Sequence, residues 1–468
     1  MADVLIVGGG ISGLAAAYYL EQQNLSVVLV EAQNRLGGLI ATEQQQGCYL
    51  EAGPDSYIAT KPAVTELAQS IPGLAARIIG SNDVARRVFV AKQGRLVPMP
   101  QGMVMMVPGE WQPAFSSPLF PPVAKLRFLS ELFYRRRVRG DDVTISEFVK
   151  DHFDESVLEY VTEPLLTGVY GGEAGKLSAR SVLPRFVEYE EKYGSLIRGV
   201  RRERAQRKQQ RKESEPLFQS FENGMQTLVD GVAGALGSGV RIVHGLAERA
   251  VPAPGRGWRV TVGGQSEEAA HLVLACPAFR AAAVLEDADP GLSEELASIP
   301  YSSAITVMMG LEGAQLNHPL DGFGFLVPRR ERKVIAACTW VNTKFPSRVA
   351  AGWAVLRAFI VGREADDLMA ASDEDLTGIV AGEFRRLMGT CSRAWFTTVH
   401  RWPRSMPQYV VGHQARAARI EKRLGQHRGL HLVGNAYDGV GIPDCVRLAK
   451  SVSERIAAQV REIPANTD

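Results

Sequence analysis

Apolar residues gather in short runs that stop at glycine at both ends of the chain. Val4-Leu-Ile-Val7 reads as a buried strand and breaks into Gly8-Gly-Gly-Ile-Ser-Gly13. Residues 14–22, rich in Ala and Leu, predict a helix, and residues 26–31 (SVVLVE) predict a second strand. Strand patterns continue at 48–51 and 87–91. Residues 98–122 are rich in Pro and Met and show no clear period. From 124 to about 212 the pattern turns helical, with helices predicted at 125–137 and 145–153. Residues 240–243, 258–262 and 271–275 read as strands. Residues 303–311, 323–327, 334–341 and 353–361 alternate as in an antiparallel sheet. An amphipathic helix follows at 374–388, then a buried strand at 429–434 and a last helix at 443–460. The chain thus begins and ends in strand–glycine turn–helix units with a different sheet between them. The fold class expected is α/β (α+β overall), one nucleotide domain assembled from distant segments and interrupted by others.

Composition changes this picture little. The chain has 468 residues, 46% of them hydrophobic and 22% charged, which excludes disordered, collagenous and coiled-coil classes. The net charge of +2 is unevenly spread, because residues 198–212 alone carry eight Lys/Arg against one Glu. A global basic field for nucleic acid is therefore not expected. The five cysteines are scattered without a CxxC pair, so neither a disulfide framework nor a zinc site is predicted. They fit a reducing, intracellular compartment, and neither a targeting leader nor a spanning helix is read from the sequence. His427 and His431 have helical spacing, but Gly429 between them and the strand that follows predict a loop rather than a metal site.

The chemistry begins at Gly8-x-Gly10-x-x-Gly13. It follows a strand, opens a helix, and is answered by Glu31 at the end of the second strand, 18 residues past Gly13. Gly8 permits the tight turn, Gly10 admits a pyrophosphate to the backbone, and Gly13 lets helix and strand pack closely. Glu31 accepts from both ribose hydroxyls and repels a 2′-phosphate. NAD and FAD share this fingerprint. The following Arg35-Leu-Gly-Gly38 suits a longer cofactor lying across the loop. At the other end, Gly434, Gly439 and Gly441 precede a helix with Pro443 near its start. Backbone N–H groups from Val440 to Ile442 are expected to face an electron-rich group there. No nucleophile motif occurs, which fits hydride transfer with the hard chemistry left to a cofactor.

Several blocks then resemble known flavoproteins. Glu31-Ala-Gln-Asn-Arg-Leu-Gly-Gly38, and Gly53-Pro-Asp-Ser56 after Tyr49-Leu-Glu, are similar to segments of amine-oxidase-type enzymes. Leu166-Thr-Gly-Val-Tyr-Gly-Gly-Glu-Ala-Gly-Lys-Leu-Ser178 resembles a segment of the oxygen-dependent protoporphyrinogen/coproporphyrinogen oxidase family that general amine oxidases lack. Phe323-Gly-Phe-Leu-Val-Pro328, Met406-Pro-Gln-Tyr409 and Val433-Gly-Asn-Ala-Tyr-Asp-Gly-Val-Gly-Ile-Pro-Asp-Cys445 extend the resemblance from end to end.

The resemblance implies a Rossmann-like FAD-binding domain (1–85, 216–285 and 424–468), an antiparallel-sheet substrate domain (86–100 and 286–423) and a helical insert (101–215). It implies non-covalent FAD held by Gly8, Gly10, Ile11, Ser12, Gly13, Glu31, Ala32, Arg35, Gly38, Leu39, Gly53, Pro54, Asp55, Ser56, Leu246, Trp402, Gly434, Val440, Gly441 and Ile442. It places substrate at Arg87, Gly168, Phe323, Leu326 and Ile360, with Arg86 an alternative cation to Arg87. No residue is assigned as the catalyst, because the flavin carries the chemistry.

The implied reaction is oxidation of protoporphyrinogen IX to protoporphyrin IX, with O2 as acceptor and H2O2 released, in haem biosynthesis. The alternative within the family is coproporphyrinogen III to coproporphyrin III. An amine oxidase, a carotenoid desaturase and a flavin-holding porphyrin carrier are the rivals outside it. The location expected is the cytoplasm, peripheral on the inner face of the cell membrane. A ferrochelatase-type enzyme is the expected neighbour, and the chain is a monomer or homodimer. Two segments suit an anionic membrane surface: residues 103–120, with a substrate-channel lining as the alternative, and the basic run 198–212, with a solvated helix or substrate guide as alternatives.

Overall fold

The computed structural model describes residues 2–135, 140–209, 216–253, 257–313, 316, 318–390 and 394–461. The first apolar runs become the strands Ala2–Val7 and Val27–Glu31, with helix Ile11–Glu21 between them. The two strands pair in parallel, Val4 opposite Val27 and Val7 opposite Val30. Every residue of Val27–Glu31 is buried, as a strand covered on both faces requires. The seven-stranded sheet around them also takes in Val240–His244, Gln265–Leu274 and Leu430–Leu432 in parallel, and Gly257–Val262 and Ala247–Ala253 as an antiparallel extension. Distant segments therefore meet in one sheet. Helix Ile442–Arg461 returns to pack on Ile11–Glu21 through Val446, Ala449 and Val452.

A second seven-stranded sheet runs Phe396–Pro407, Tyr301–Glu312, Trp353–Val361, Ala337–Trp340, Gly324–Leu326, Val88–Lys92, Arg95–Pro98. It is antiparallel except where Gly324–Leu326 lies parallel to Val88–Lys92. One face packs on helix Asp373–Met388 through Ile305, Val307, Ile360, Val380 and Phe384. The opposite face carries Thr306 and Met308 toward the nucleotide sheet's loops.

The third core is helical and includes Phe128, Phe148, Phe153, Leu166, Phe186 and Ile197. Met106, Val107, Leu119 and Phe120 belong to it and are at most 2% exposed. These residues of the 103–120 segment are thus interior, not surface lying on a membrane. The exposed apolar face is on helix Pro122–Glu131 and just beyond it: Val123, Leu126, Leu129 and Phe133, the last 84% exposed. The predicted 125–137 helix is this earlier one. It starts at Pro122, because proline is favoured in a first turn, and residues 136–139 lie outside the described part. Of the basic run, helix Leu196–Gln209 carries the first part, and residues 210–212 lie outside the described part.

Candidate functional site

Helix Ile11–Glu21 starts at Gly10 with no side-chain cap and no acid in its first turn, so its positive end is left for an anion. Gly8 has φ +111°, and a Cβ at Gly13 would overlap the Gly8 carbonyl oxygen. Both positions therefore demand glycine. Glu31 is 8% exposed; its carboxylate accepts from Gly9 N at 2.6 Å and Gln33 N at 2.8 Å. The acid is thereby fixed at the strand's end, with lone pairs left for hydroxyls. Ala32 is exposed beside it, and the half-exposed Leu246 follows Gly245, whose N–H bonds the Glu31 carbonyl.

Gly37 N donates to Gly9 O at 2.8 Å, which lays the second glycine pair across the first. A Cβ on Gly38 would stand 3.1 Å from Gly10 Cα. Arg35 does not reach outward. Its guanidinium donates to Leu36 O, Gly38 O and Ile40 O and braces its own loop. A Cβ on Gly53 would overlap Leu39 O, so the 53–56 loop lies directly on Leu39. Trp402 joins this corner through Nε1, which donates to Ala52 O at 2.9 Å, and Thr306 Oγ1 donates to the same oxygen at 2.8 Å.

At the C-terminal end, Ser12 lies in hydrogen-bond contact with the Cys445 thiol, so the starts of helices Ile11–Glu21 and Ile442–Arg461 converge. Gly434 has φ +137° with open space where a Cβ would stand. The expectation of free N–H groups from Val440 to Ile442 needs one correction. Gly441 N donates to Asp444 Oδ2 at 3.3 Å, and that carboxylate is held in turn by Lys61 Nζ at 2.7 Å. An acid at the first turn of a helix is the usual neighbour of orphan N–H groups. Sequence reasoning missed both Asp444 and Lys61, which stand 383 positions apart.

The loop at residues 53–56 rests on a buried ion cluster that the sequence reading did not contain. Lys344 Nζ lies 3.0 and 2.9 Å from the two Asp55 oxygens. Arg348 pairs with Glu51 at 2.9 Å and donates to the carbonyls of Asp55 and Phe221 and the hydroxyl of Ser220. Arg357 donates to Gly53 O. Glu51 also accepts from Met225 N at 2.7 Å and Thr42 Oγ1 at 2.8 Å. Burial favours the neutral acid at Asp55, but Lys344 and Arg357 outweigh it and hold the carboxyl far below the usual range. At Glu51 burial wins over Arg348 and the pKa is raised. Three basic side chains thus reach from the side of the second sheet and fix two acids and three carbonyls around the 53–56 loop.

The residues expected at the substrate sit as follows. Arg87 immediately precedes strand Val88–Lys92; its half-exposed side chain meets Asp321 at 2.7 Å, and its carbonyl accepts Phe323 N. Arg86 pairs loosely with Asp83 at 3.5 Å. Leu326 stands opposite Ala337, which stands opposite Phe359, which stands opposite Thr306, so these four share the face turned to Ala52 and the 53–56 loop. Ile360 is opposite Ile305 and fully buried against the helices on the other face. The one-residue offset of a strand makes Phe359, not Ile360, the neighbour of Arg357 and the loop. Phe323 is 6% exposed. Gly168 lies in the last turn of helix Glu163–Tyr170 with open space beside it. His427 bonds Asp289 and His431 stacks on His271, so the two point to different partners.

These features set two converging helix starts and their glycine turns beside the second sheet, the arrangement of a flavoprotein fold. The sequence matches the family of flavin-containing amine oxidoreductases over residues 11–457, and the chain belongs to that family. It is 32% identical over 459 residues to the coproporphyrinogen III oxidase of Bacillus subtilis, covering 96% of each chain. It is 26% identical to the chloroplastic protoporphyrinogen oxidase of Nicotiana tabacum, over 97% of this chain and 85% of that one. The crystal structure of a putative protoporphyrinogen oxidase from Exiguobacterium superposes with a TM-score of 0.86 at 32% identity, covering 98% and 99% of the two chains.

Proposed function

We propose that this chain is an FAD-dependent porphyrinogen oxidase, with coproporphyrinogen III the preferred substrate. The observation that carries the reading is near-full-length similarity to a bacterial coproporphyrinogen III oxidase, joined to a cradle whose glycines and helix starts fit FAD. The chemistry FAD supplies when bound is hydride removal from a methylene bridge, with O2 taking the electrons as hydrogen peroxide. The protein's part is to hold, orient and dehydrate. Glu31 receives the ribose. The two helix starts receive the pyrophosphate and the flavin's pyrimidine edge. Cys445, raised to about 11 by burial, is 6% exposed and held against Ser12, which supports non-covalent attachment.

Preference for the four-carboxylate substrate over the two-carboxylate one is supported by exposed, acid-paired arginines next to the strands Val88–Lys92 and Gly324–Leu326. Arg87 stands at one side. Arg329 and Arg330 follow Leu326 closely and pair with Glu173 and Glu159. The test is kcat/KM on both purified porphyrinogens with peroxide counted. Protoporphyrinogen IX at equal or higher kcat/KM would reverse the assignment.

Among the described residues no helix is long and apolar enough to cross a membrane. The partner proposed for the insert is an anionic membrane surface. It would meet the exposed apolar face around Leu126 and Phe133 and the cleft lined by Lys192, Arg198, Arg201 and Arg202. Liposome flotation with and without anionic lipid checks it, and a protein that never floats refutes it.

A further inference from the structure

The block Met406-Pro-Gln-Tyr409 has no role in the reading above. It leaves strand Phe396–Pro407, and its two polar side chains go to different places. Gln408, 8% exposed, donates through Nε2 to the carbonyl of Tyr170 and to Ser302 Oγ at 3.0 Å. Tyr170 closes the helix that carries Gly168. Tyr409 is 2% exposed. Its hydroxyl donates to Asn435 O at 2.8 Å and accepts from Gly439 N at 2.9 Å. Both partners lie in the glycine-rich turn before helix Ile442–Arg461, and Gly439 is held at φ +97°. The Tyr409 ring stacks on His413 at 3.9 Å and 12°, and His413 Nε2 meets Tyr437 O at 3.3 Å in the same turn. The Tyr409 carbonyl accepts from Ser178 N at 2.8 Å.

Two adjacent residues therefore tie the insert's substrate-side turn to the flavin-edge turn. Only a group that is donor and acceptor at once serves both partners of the Tyr409 hydroxyl. Without it a partly buried N–H and a partly buried C=O lose their partner, and the turn loses the tie between residues 435 and 439. We propose that Tyr409 is a positioning residue whose hydroxyl sets the shape of the flavin-edge turn, while Gln408 fixes the Gly168 turn in register with it. This deepens the reading of the chain as a porphyrinogen-oxidising flavoprotein and rests on it. A merely structural Tyr409 would affect unfolding and leave the bound flavin as it was.

The test is Tyr409→Phe in the full chain. It is read by FAD affinity of the apoprotein, the visible bands of bound flavin, and kcat and KM with coproporphyrinogen III. The expected result is FAD binding roughly ten-fold weaker. The flavin bands shift, and kcat falls while KM stays within about two-fold, because the flavin edge moves and the substrate contacts do not. FAD affinity within two-fold of wild type with unshifted bands overturns the proposal, whatever the melting temperature does. Should Tyr409→Phe not fold, His413→Phe keeps the ring stack and removes only the Tyr437 contact. FAD binding within two-fold of wild type is expected there, because the Tyr409 hydroxyl still holds the turn; a ten-fold loss places the effect in the Tyr437 contact and overturns the proposal. A wild-type protein that binds FAD but oxidises neither porphyrinogen defeats the substrate reading alone, since the FAD readouts still decide Tyr409. A wild-type protein that binds no FAD defeats both.

Discussion

The two loops that pack on residues 37–39 are built in opposite ways. The turn at residues 8–13 is shaped by backbone: glycines where a Cβ would collide, and a bare helix start. The loop at 53–56 is shaped by side chains that arrive from far away, Lys344, Arg348 and Arg357 on one side and Glu51 and Asp55 on the other. A backbone-built site fails through sterics at one atom. A charge-built site fails through what is left unpaired. The first cannot relax and the second is paid in desolvation.

The sharpest break is Gly13→Val. Its Cβ would overlap the backbone oxygen of Gly8, and neither helix nor strand can move without losing its partner. Purified protein is expected to hold less than about a tenth of the wild-type FAD, if it folds. Gly168→Ala is the control, since nothing lies within 4 Å of its added carbon. Wild-type FAD content in Gly13→Val would mean that the turn is not built by close approach.

Next comes Lys344→Met, which leaves the Asp55 carboxylate in a site where Lys344 is 8% exposed. Breaking a buried pair by removing one partner costs about 3–5 kcal/mol. Urea unfolding measures it. Adding Asp55→Asn to Lys344→Met should return part of the loss. A loss below about 1 kcal/mol in the single variant would show that Arg357 and solvent together suffice for the Asp55 carboxylate.

Glu31→Ala falls between the two cases, because a side chain there completes a backbone turn. The lost charged acceptor weakens FAD retention by about 1.5–3 kcal/mol. Flavin retained at wild-type level after dialysis would sink the ribose assignment.

The same contrast explains what the sequence disclosed. The turn, both strands and Glu31 lie within about thirty residues, and a local unit carries its own pattern. The charge cluster joins residues about 300 positions apart, as with Arg357 and Gly53, and no local period encodes that. One signal existed: Arg357 is a lone charge inside the otherwise apolar run Trp353–Val361, and an interior charge implies a partner. Strand Phe396–Pro407 escaped prediction because its sequence FTTVHRWPRSMP mixes charge and proline with apolar residues. Its register against Tyr301–Glu312 holds it nonetheless. Helix His413–Leu424 escaped because its exposed face is dense with Arg and Lys and buries little beyond Ile420 and His413. Ile360 and Phe359 stand on opposite faces one residue apart, a difference that the apolar run Trp353–Val361 does not signal.

The helical insert offers the smallest and most specific effect. His152 is fully buried, with Nδ1 2.9 Å from Glu131 and Nε2 3.2 Å from Glu190. Both ring nitrogens face carboxylates, so the charged imidazolium is the form that satisfies them. Burial opposes that charge, but the hydrogen bonds and charges of the two acids outweigh it and raise the His152 pKa above its usual 6.5. Glu131 also accepts from Ser195 Oγ and from Leu196 N and Ile197 N, so it anchors the start of helix Leu196–Gln209 as well. A group with a raised folded-state pKa stabilises fully below about pH 6.5 and loses that contribution as pH rises through the folded value. Every tenfold gain in proton affinity on folding is worth about 1.4 kcal/mol. His271, His318, His400, His413 and His431 are shifted down, chiefly by burial, and act in the opposite sense as pH falls. Only a difference from wild type therefore isolates His152. Urea unfolding at pH 6, 7, 8 and 9 of wild type and His152→Gln should show a gap that is widest at pH 6 and narrows upward. A gap independent of pH would mean that the imidazole is neutral between its two acids, and that the insert is held by hydrogen bonds without the charge.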